Sequence, residues 1–311
     1  MTDGRYEAQA AREAPDVRCE LTRRPWKTLA RVLAAGGSES IVLGFEAHHM
    51  SVAEHSRLRD ALEQEGPAVR LEPLSRPVER LRRTKDGDEI ARLRAACQVA
   101  DAALERLLRE GLQPGVTEVD VARRIDDGMR RGGAEDRAFP TIVAFGESAA
   151  EPHHRPTARA LIGGDLVKID FGAVVDGYHS DMTRTMVVGP PAAWQRDLHS
   201  LVLEAQERAI AAVRGARRVS DVDAVARTVI ERGGYGERYP HGLGHGVGLE
   251  VHEEPILGPG STATLEDRYV VTVEPGVYLP GRGGVRIEDV VVVGPDGCEV
   301  LTGAPRDLIS L

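Results

Sequence analysis

From about residue 86 onward the chain repeats itself, and this constrains its fold more than any other feature. TEVDVARRI (Thr117–Ile125) resembles SDVDAVARTVI (Ser220–Ile230). Each segment opens on a hydroxyl residue suited to cap a helix, with an aspartate three residues on. Each ends at a double glycine, Gly132-Gly133 in one case and Gly233-Gly234 in the other. Each follows a long helical pattern, 86–110 and 192–214, and each is followed by strand-like valine runs. The first long helix begins with Asp86 and Glu89 at capping-box spacing. Its apolar stripe runs through Ile90, Leu93, Cys97, Ala100, Leu104 and Leu108 and stops at Gly111. The pattern predicts an α+β fold made of two pseudo-symmetric α-α-β halves.

The residues before this boundary read differently. IVLGF (Ile41–Phe45) and AVRLEPL (Ala68–Leu74) are strand patterns, and residues 51–64 between them form a helix pattern with Leu58 and Leu62 on one face. RLRRTKDGDE marks a charged hinge. The expected division is a small α/β domain over 1–84 and a larger domain over 85–311.

Composition narrows the function. The net charge is −9, from 40 basic and 49 acidic residues, which argues against nucleic acid or an anionic membrane as the main partner. Cys19, Cys97 and Cys298 are odd in number and far apart, so no disulfide framework follows and a reducing cytoplasm is expected. No apolar run reaches membrane-spanning length.

The chemistry lies in acidic residues set among valines. DLVKIDFGAVVDGYHSDMTRTMVV (Asp165–Val188) reads as a hairpin turning at Asp176-Gly177. Asp170 then faces Asp181 directly or diagonally on the same side of the sheet, about 5–8 Å away. Two carboxylates so placed repel unless a cation sits between them. YVVTVEPGVY (Tyr269–Tyr278) reads as a buried strand carrying Glu274, and GGVRIEDVVVV (Gly283–Val293) as another carrying Arg286 and Glu288 on one face. A glutamate inside a valine run is costly unless it is paired or bound to metal. Stacking the halves about a pseudo-twofold brings all four carboxylates to one point. Four negative charges are neutralised by two divalent cations, a known hydrolytic device. Oxygen-rich ligands with one imidazole suit Mn2+, with Co2+, Zn2+ or Fe2+ as alternatives.

HGLGHGVGLEVHEEP (His241–Pro255) supplies imidazoles. His241 and His245 have helical spacing, but the glycines between them oppose a helix and point to close backbone approach. The histidines suit a metal, a proton shuttle or both.

These motifs, in this order, resemble the pita-bread-fold metallopeptidases, and most of all their Xaa-Pro branch of aminopeptidase P and prolidase enzymes. The resemblance covers Asp86 to Leu311. It implies metal ligands Asp170, Asp181, His245, Glu274 and Glu288, with Glu274 also handling the proton of the attacking water. FPTIVAFGESAAEPHHRP (Phe139–Pro156) is similar to the segment whose histidine lies beside the scissile bond, which places His153 there. The resemblance makes His252 the second active-site histidine and sets His241 near a proline pocket. Arg286 is expected on the substrate side of the site, holding a ligand carboxylate. His154 is expected to be exposed and idle. Phe145, Glu147, Ser148 and Glu151 depart from the family's usual pattern on the side where substrate enters.

The implied activity is hydrolysis of the bond between an N-terminal residue and proline, acting on small peptides. Alternatives are a methionine-aminopeptidase-like exopeptidase, a metal-free creatinase-like enzyme or a non-catalytic peptide-binding module of the same fold. TDGRY (Thr2–Tyr6) resembles a strand from the middle of the family's N-terminal domain, so that domain is expected to be partial, with Met1 a misassigned start. A homodimer is expected, weakened if the domain is truly short.

Overall fold

The computed structural model describes residues 1–36, 40–65, 68–113 and 115–311. They form two compact units, Met1–Val78 and Glu79–Leu311. In the smaller unit, strands Ser40–Glu46 and Ala68–Leu74 pair in parallel from Ser40↔Ala68 to Glu46↔Leu74. Parallel neighbours need a crossover, and the Val52–Glu65 helix provides it. That helix and the Pro25–Ala35 helix bury Ala30, Leu58, Ala61 and Leu62 against Leu43, Val69 and Leu71. The expected strand at Thr2–Tyr6 does not form. Thr2 makes a single bridge to Leu21, and Gly4–Tyr6 is a 3-10 turn running into a short helix. The local cause is Asp3, whose side chain accepts from the Arg5 backbone N–H at 2.8 Å and curls the chain.

The larger unit contains the repeat. Helices Gly87–Glu110 and Glu118–Arg131 precede a sheet ordered Ile142–Phe145, Leu166–Phe171, Met182–Val187. Helices Ala193–Ala212 and Val219–Arg232 precede a sheet in which Gly244–Gly246, Val270–Val273 and Asp289–Val293 lie in the same order, flanked by Glu253–Leu257 and Cys298–Val300. Smaller details match as well. Thr117 bridges Ala160 at the start of one second helix, and Arg218 bridges Thr264 at the start of the other. Gly132 and Gly233 end these helices, and Gly133 and Gly234 follow at φ +101° and +84°, where a side chain would be strained. One detail differs from expectation. Thr117 caps its helix through its side chain, but Ser220 does not, because the bridge at Arg218 starts that helix at Val219.

Each half has its own apolar core. Leu104, Val121, Ile125, Val143 and Val167 fill the first, and Val202, Val222, Ala226, Val271 and Val291 the second. A buried polar network joins them. Arg184, on the last strand of the first half, donates to Asp289 Oδ1 at 2.7 Å and to the Glu288 carbonyl at 2.6 Å. It also donates to the carbonyls of Ala304 and Pro305. Asp289 accepts in addition from Thr302, Gln206 and Arg306. Burial pushes the Asp289 carboxyl up, but Arg184 and Arg306 outweigh it and hold the group below its usual range. Asp289→Ala therefore strands a buried guanidinium at the junction of the halves. We expect it to lower unfolding stability by about 3–5 kcal/mol, the usual loss on breaking a buried pair. Chemical denaturation measures this; a loss under about 1 kcal/mol would show that the pair does not join the halves energetically.

Candidate metal centre

The site grows out of breaks in the strands. The turn expected at Asp176-Gly177 is present, with φ +48° and +78°, as a tight two-residue hairpin requires. The hairpin is not continuous, however. Leu166–Phe171 and Met182–Val187 pair in one sheet, and Ala173–Val175 and Tyr178–His179 in another. The split falls at Gly172, where a Cβ would lie 1.8 Å from the Ser180 carbonyl oxygen. The second half breaks in the same way. Residues 269–278, expected as one strand, form Val270–Val273 and Gly276–Leu279; Pro275, between them, has no N–H to continue a ladder. Residues 283–293 divide into Gly283–Arg286 and Asp289–Val293.

The carboxylates stand at these breaks. Asp170 is near the end of its strand and Glu274 just past the end of its counterpart; Asp181 and Glu288 each immediately precede the next strand. Asp170 is opposite Thr183, so Asp181 is its diagonal neighbour. His245, on Gly244–Gly246, brings Nε2 to 3.6 Å from Asp181 Oδ2 and 3.4 Å from Glu274 Oε1. Its other nitrogen, Nδ1, lies 3.0 Å from the Gly246 carbonyl oxygen. A carbonyl only accepts, so Nδ1 carries the proton and Nε2 presents its lone pair to the carboxylates. This is the tautomer a metal ligand needs. Burial, and then the neighbouring His252, lower the His245 pKa to about 4, keeping the ring neutral.

The donor set fits a divalent cation. Ligand atoms of Asp181, His245 and Glu288 all lie within 4.8 Å of one another. Asp170 Oδ1 and Glu288 Oε1 are buried with no hydrogen-bond partner, an arrangement expensive for a carboxylate oxygen unless a cation takes it. The opposite oxygens are held by protein. Arg286 bonds Asp170 through Nη2 and donates from Nε to Thr183 Oγ1 at 2.9 Å. Thr183 in turn donates to Glu288 Oε2 at 2.7 Å, and Thr272 donates to Glu274 Oε1 at 3.3 Å.

The remaining expected residues converge on the same place. A cleft of about 530 Å³ is lined by His153, His241, His245, His252, Glu274 and Arg286, among others. A deeper space of about 120 Å³ reaches Asp170, Asp181 and Glu288, walled by Phe139 and Ile142. The His252 ring meets the His245 ring edge-on, with centroids 4.3 Å apart. His241 has both nitrogens engaged, Nδ1 with the Gly242 carbonyl at 2.8 Å and Nε2 with the Tyr278 hydroxyl at 2.9 Å. Tyr278 accepts from Arg286 at 2.8 Å, so one chain of contacts runs from Asp170 through Arg286 and Tyr278 to His241.

Three residues to which the sequence assigned no role shape the cleft. His154 is buried rather than exposed. Its Nε2 lies 2.9 Å from Glu118 Oε2 and its Nδ1 3.1 Å from Glu151 Oε2. Glu118 is fully buried and accepts from the backbone N–H groups of Phe145 and Thr157, both at 2.9 Å. Lys168, also buried, donates to the carbonyls of Ala149 and Glu151. Together they hold the segment that carries His153. Lys168 shared a strand face with Asp170 in an otherwise apolar run, a signal open to reading; Glu118 looked like an ordinary first-turn acid.

Burial raises the carboxyl pKa values of Asp181 and Glu288 well above the usual range, with the surrounding carboxylates adding to it. Burial, opposed by Arg286 and reinforced by Asp170, lifts Glu274 to about 7. A carboxyl whose pKa is higher folded than unfolded destabilises the fold as pH rises from its unfolded value of about 4.5 through about 7. The buried histidines, lowered by burial, act in the opposite direction. The Glu274 contribution is therefore read against Glu274→Gln, which cannot ionise. In metal-free protein the Tm of Glu274→Gln should rise relative to the unsubstituted chain between about pH 5 and about pH 8. A difference independent of pH would contradict the burial of an ionising Glu274.

Fold and site together define a metal-dependent hydrolase built from two pseudo-symmetric halves, the pita-bread architecture. Residues 91–295 match the profile of metallopeptidase family M24, and residues 1–84 match the creatinase/prolidase N-terminal domain. The chain belongs to metallopeptidase family M24. It is 41% identical over 232 residues to an Xaa-Pro dipeptidase of Pyrococcus furiosus, covering 75% of this chain and 66% of that protein, so it spans about two thirds of that relative's length. An Xaa-Pro dipeptidase structure from Bacillus anthracis superposes with a TM-score of 0.94 at 38% identity, covering 99% of this chain and 85% of the other. An X-Pro aminopeptidase structure from Thermotoga maritima gives 0.90 at 35% identity, covering 100% and 86%. The expected family and fold are thus borne out.

Proposed function

We propose that this chain hydrolyses the bond between an N-terminal residue and proline in small peptides, using two divalent cations, Mn2+ first among them. Asp170, Asp181, His245, Glu274 and Glu288 would hold the ions, within a catalytic domain of residues 85–311 preceded by an N-terminal domain of residues 1–84. When bound, such ions lower the pKa of a water and polarise the scissile carbonyl. The observation that carries the reading is the pair of spaces lined by these five residues and by His153, His241 and His252, which share His153, His245, His252 and Glu274 as lining, in a chain similar to Xaa-Pro dipeptidases.

The protein's own groups divide the remaining work. Glu274 accepts the proton of the attacking water and returns it to the proline nitrogen. That return matters because proline's tertiary amide nitrogen carries no proton until it leaves as an amine. His153 and His252 face the carbonyl oxygen as donors, a contribution of about 3–4 kcal/mol where such donors are pre-placed. His241, with both nitrogens already bonded, offers carbon surface rather than a hydrogen bond. With Pro240 and Ile256 it forms an apolar wall suited to a pyrrolidine ring. Arg286, its donors committed to Asp170, Thr183, Tyr278 and the Pro152 carbonyl, fixes the substrate wall relative to the carboxylates. A cytoplasmic homodimer completes the proposal. Among the described residues, no helix is long and apolar enough to cross a membrane.

The test is an assay of Ala-Pro, Ala-Pro-Ala and Met-Ala with Mn2+ before and after chelation. Proline-containing peptides should be cut, chelation should abolish the activity and Mn2+ should restore it. Preferential cleavage of Met-Ala would favour a methionine-aminopeptidase-like enzyme instead. Glu274→Gln should lose at least about 100-fold in turnover, the scale of a lost general base. His245→Ala should lower metal content, whereas His252→Ala should lower turnover with metal retained. Metal loss from His252→Ala would reverse the roles of the two histidines.

A further inference from the structure

The charged hinge before residue 86 has a partner beside the cleft. Lys85 is 2% exposed, and its Nζ lies 3.0 Å from Glu253 Oε2. Arg82 Nη2 lies 2.5 Å from Glu253 Oε1 and 3.2 Å from Glu250 Oε2. Glu253 is the residue after His252. Its carboxylate also accepts from the Glu250 backbone N–H at 3.1 Å, closing the turn in which His252 sits. The turn is packed tightly around that carboxylate. A Cβ on Gly248 would lie 2.8 Å from both Glu253 oxygens. The cationic side is fixed as well. The Lys85 N–H donates to the Arg268 carbonyl at 3.0 Å, and Thr84 bridges Tyr269, at the start of the segment that ends at Glu274.

His252 depends on this arrangement more than its neighbours do. Both nitrogens of His241 are hydrogen-bonded, and His245 is fixed by the Gly246 carbonyl. Among the described residues no hydrogen bond holds the His252 ring, and its recorded contact is the edge against His245. Its position is therefore set by the backbone turn, and the turn is set by the Glu253 carboxylate. A buried carboxylate keeps such a place only while its cations remain, since an unpaired buried charge relaxes or takes up a proton.

We propose that Lys85 and Arg82 are positioning residues for His252, acting through Glu253. The proposal rests on the reading of His252 as a substrate-facing group. Its test therefore includes a readout independent of turnover.

Lys85→Met removes the charge while keeping most of the volume, and Arg82→Gln is the milder variant should Lys85→Met fail to fold. In protein labelled with 13C-histidine, the His252 ring signal is identified by its loss in His252→Ala. That signal should shift or broaden in Lys85→Met or Arg82→Gln, while that of His241, held at both nitrogens, stays in place. Turnover on Ala-Pro should fall about 10- to 100-fold, the scale of a misplaced active-site group, with KM and metal content unchanged. In a His252→Ala background the same substitutions should change turnover less than about twofold, because coupled residues are not additive. An unmoved His252 signal, or an equal loss in both backgrounds, would overturn the proposal. If the unsubstituted enzyme cuts no Xaa-Pro peptide, the activity reading fails while the histidine signal still decides the positioning role.

Discussion

Mutual repulsion among four clustered carboxylates, three buried and one partly buried, is the constraint from which the rest of this molecule follows. Asp170, Asp181, Glu274 and Glu288 meet where each half interrupts its strands, and of the four Arg286 forms an ion pair only with Asp170. Burial, compounded by neighbouring carboxylates, raises the other three above the ordinary carboxyl range. A fold holds such a cluster only if the oxygens turned outward from it are satisfied and those turned inward have a cation. The threonines and Arg286 do the first. The orphaned oxygens of Asp170 and Glu288 call for the second.

Duplication makes the convergence possible. Each half contributes one acid at the end of its middle strand and one just before the next, so a pseudo-twofold brings them together without any long excursion of the chain. Arg184 and Asp289 keep the halves in register directly behind Glu288. The imidazole breaks the symmetry. His245 lies on the first strand of the second half's core, and the first half's corresponding strand, Ile142–Phe145, has no histidine. A single imidazole is thereby added to an otherwise symmetric set of oxygens.

Much of this was legible in the sequence because it is local. The Asp176-Gly177 turn sets the register that makes Asp170 and Asp181 neighbours. Glu274 and Glu288 stand out as acids set in otherwise valine-rich strand patterns. What was not legible depends on distant partners. His154 reads as a surface residue until Glu118, far away in sequence, is seen to meet its ring. Glu118 reads as a helix-start acid until the Phe145 and Thr157 amides are seen to point at it. The breaks in the strands had local signals in Gly172 and Pro275, a residue without a side chain and one without an N–H, but only the approach of Ser180 and the change of sheet show where each strand ends. The misread segment at Thr2–Tyr6 failed locally, where Asp3 outcompeted a weak strand pattern.

Two cations are proposed to neutralise this cluster. Anomalous scattering from crystals grown with Mn2+ tests it most directly. Two peaks about 3.5–4 Å apart, bounded by Asp170, Asp181, His245, Glu274 and Glu288, are the predicted result. No peak within reach of these side chains, or peaks confined to other parts of the chain, would contradict the account.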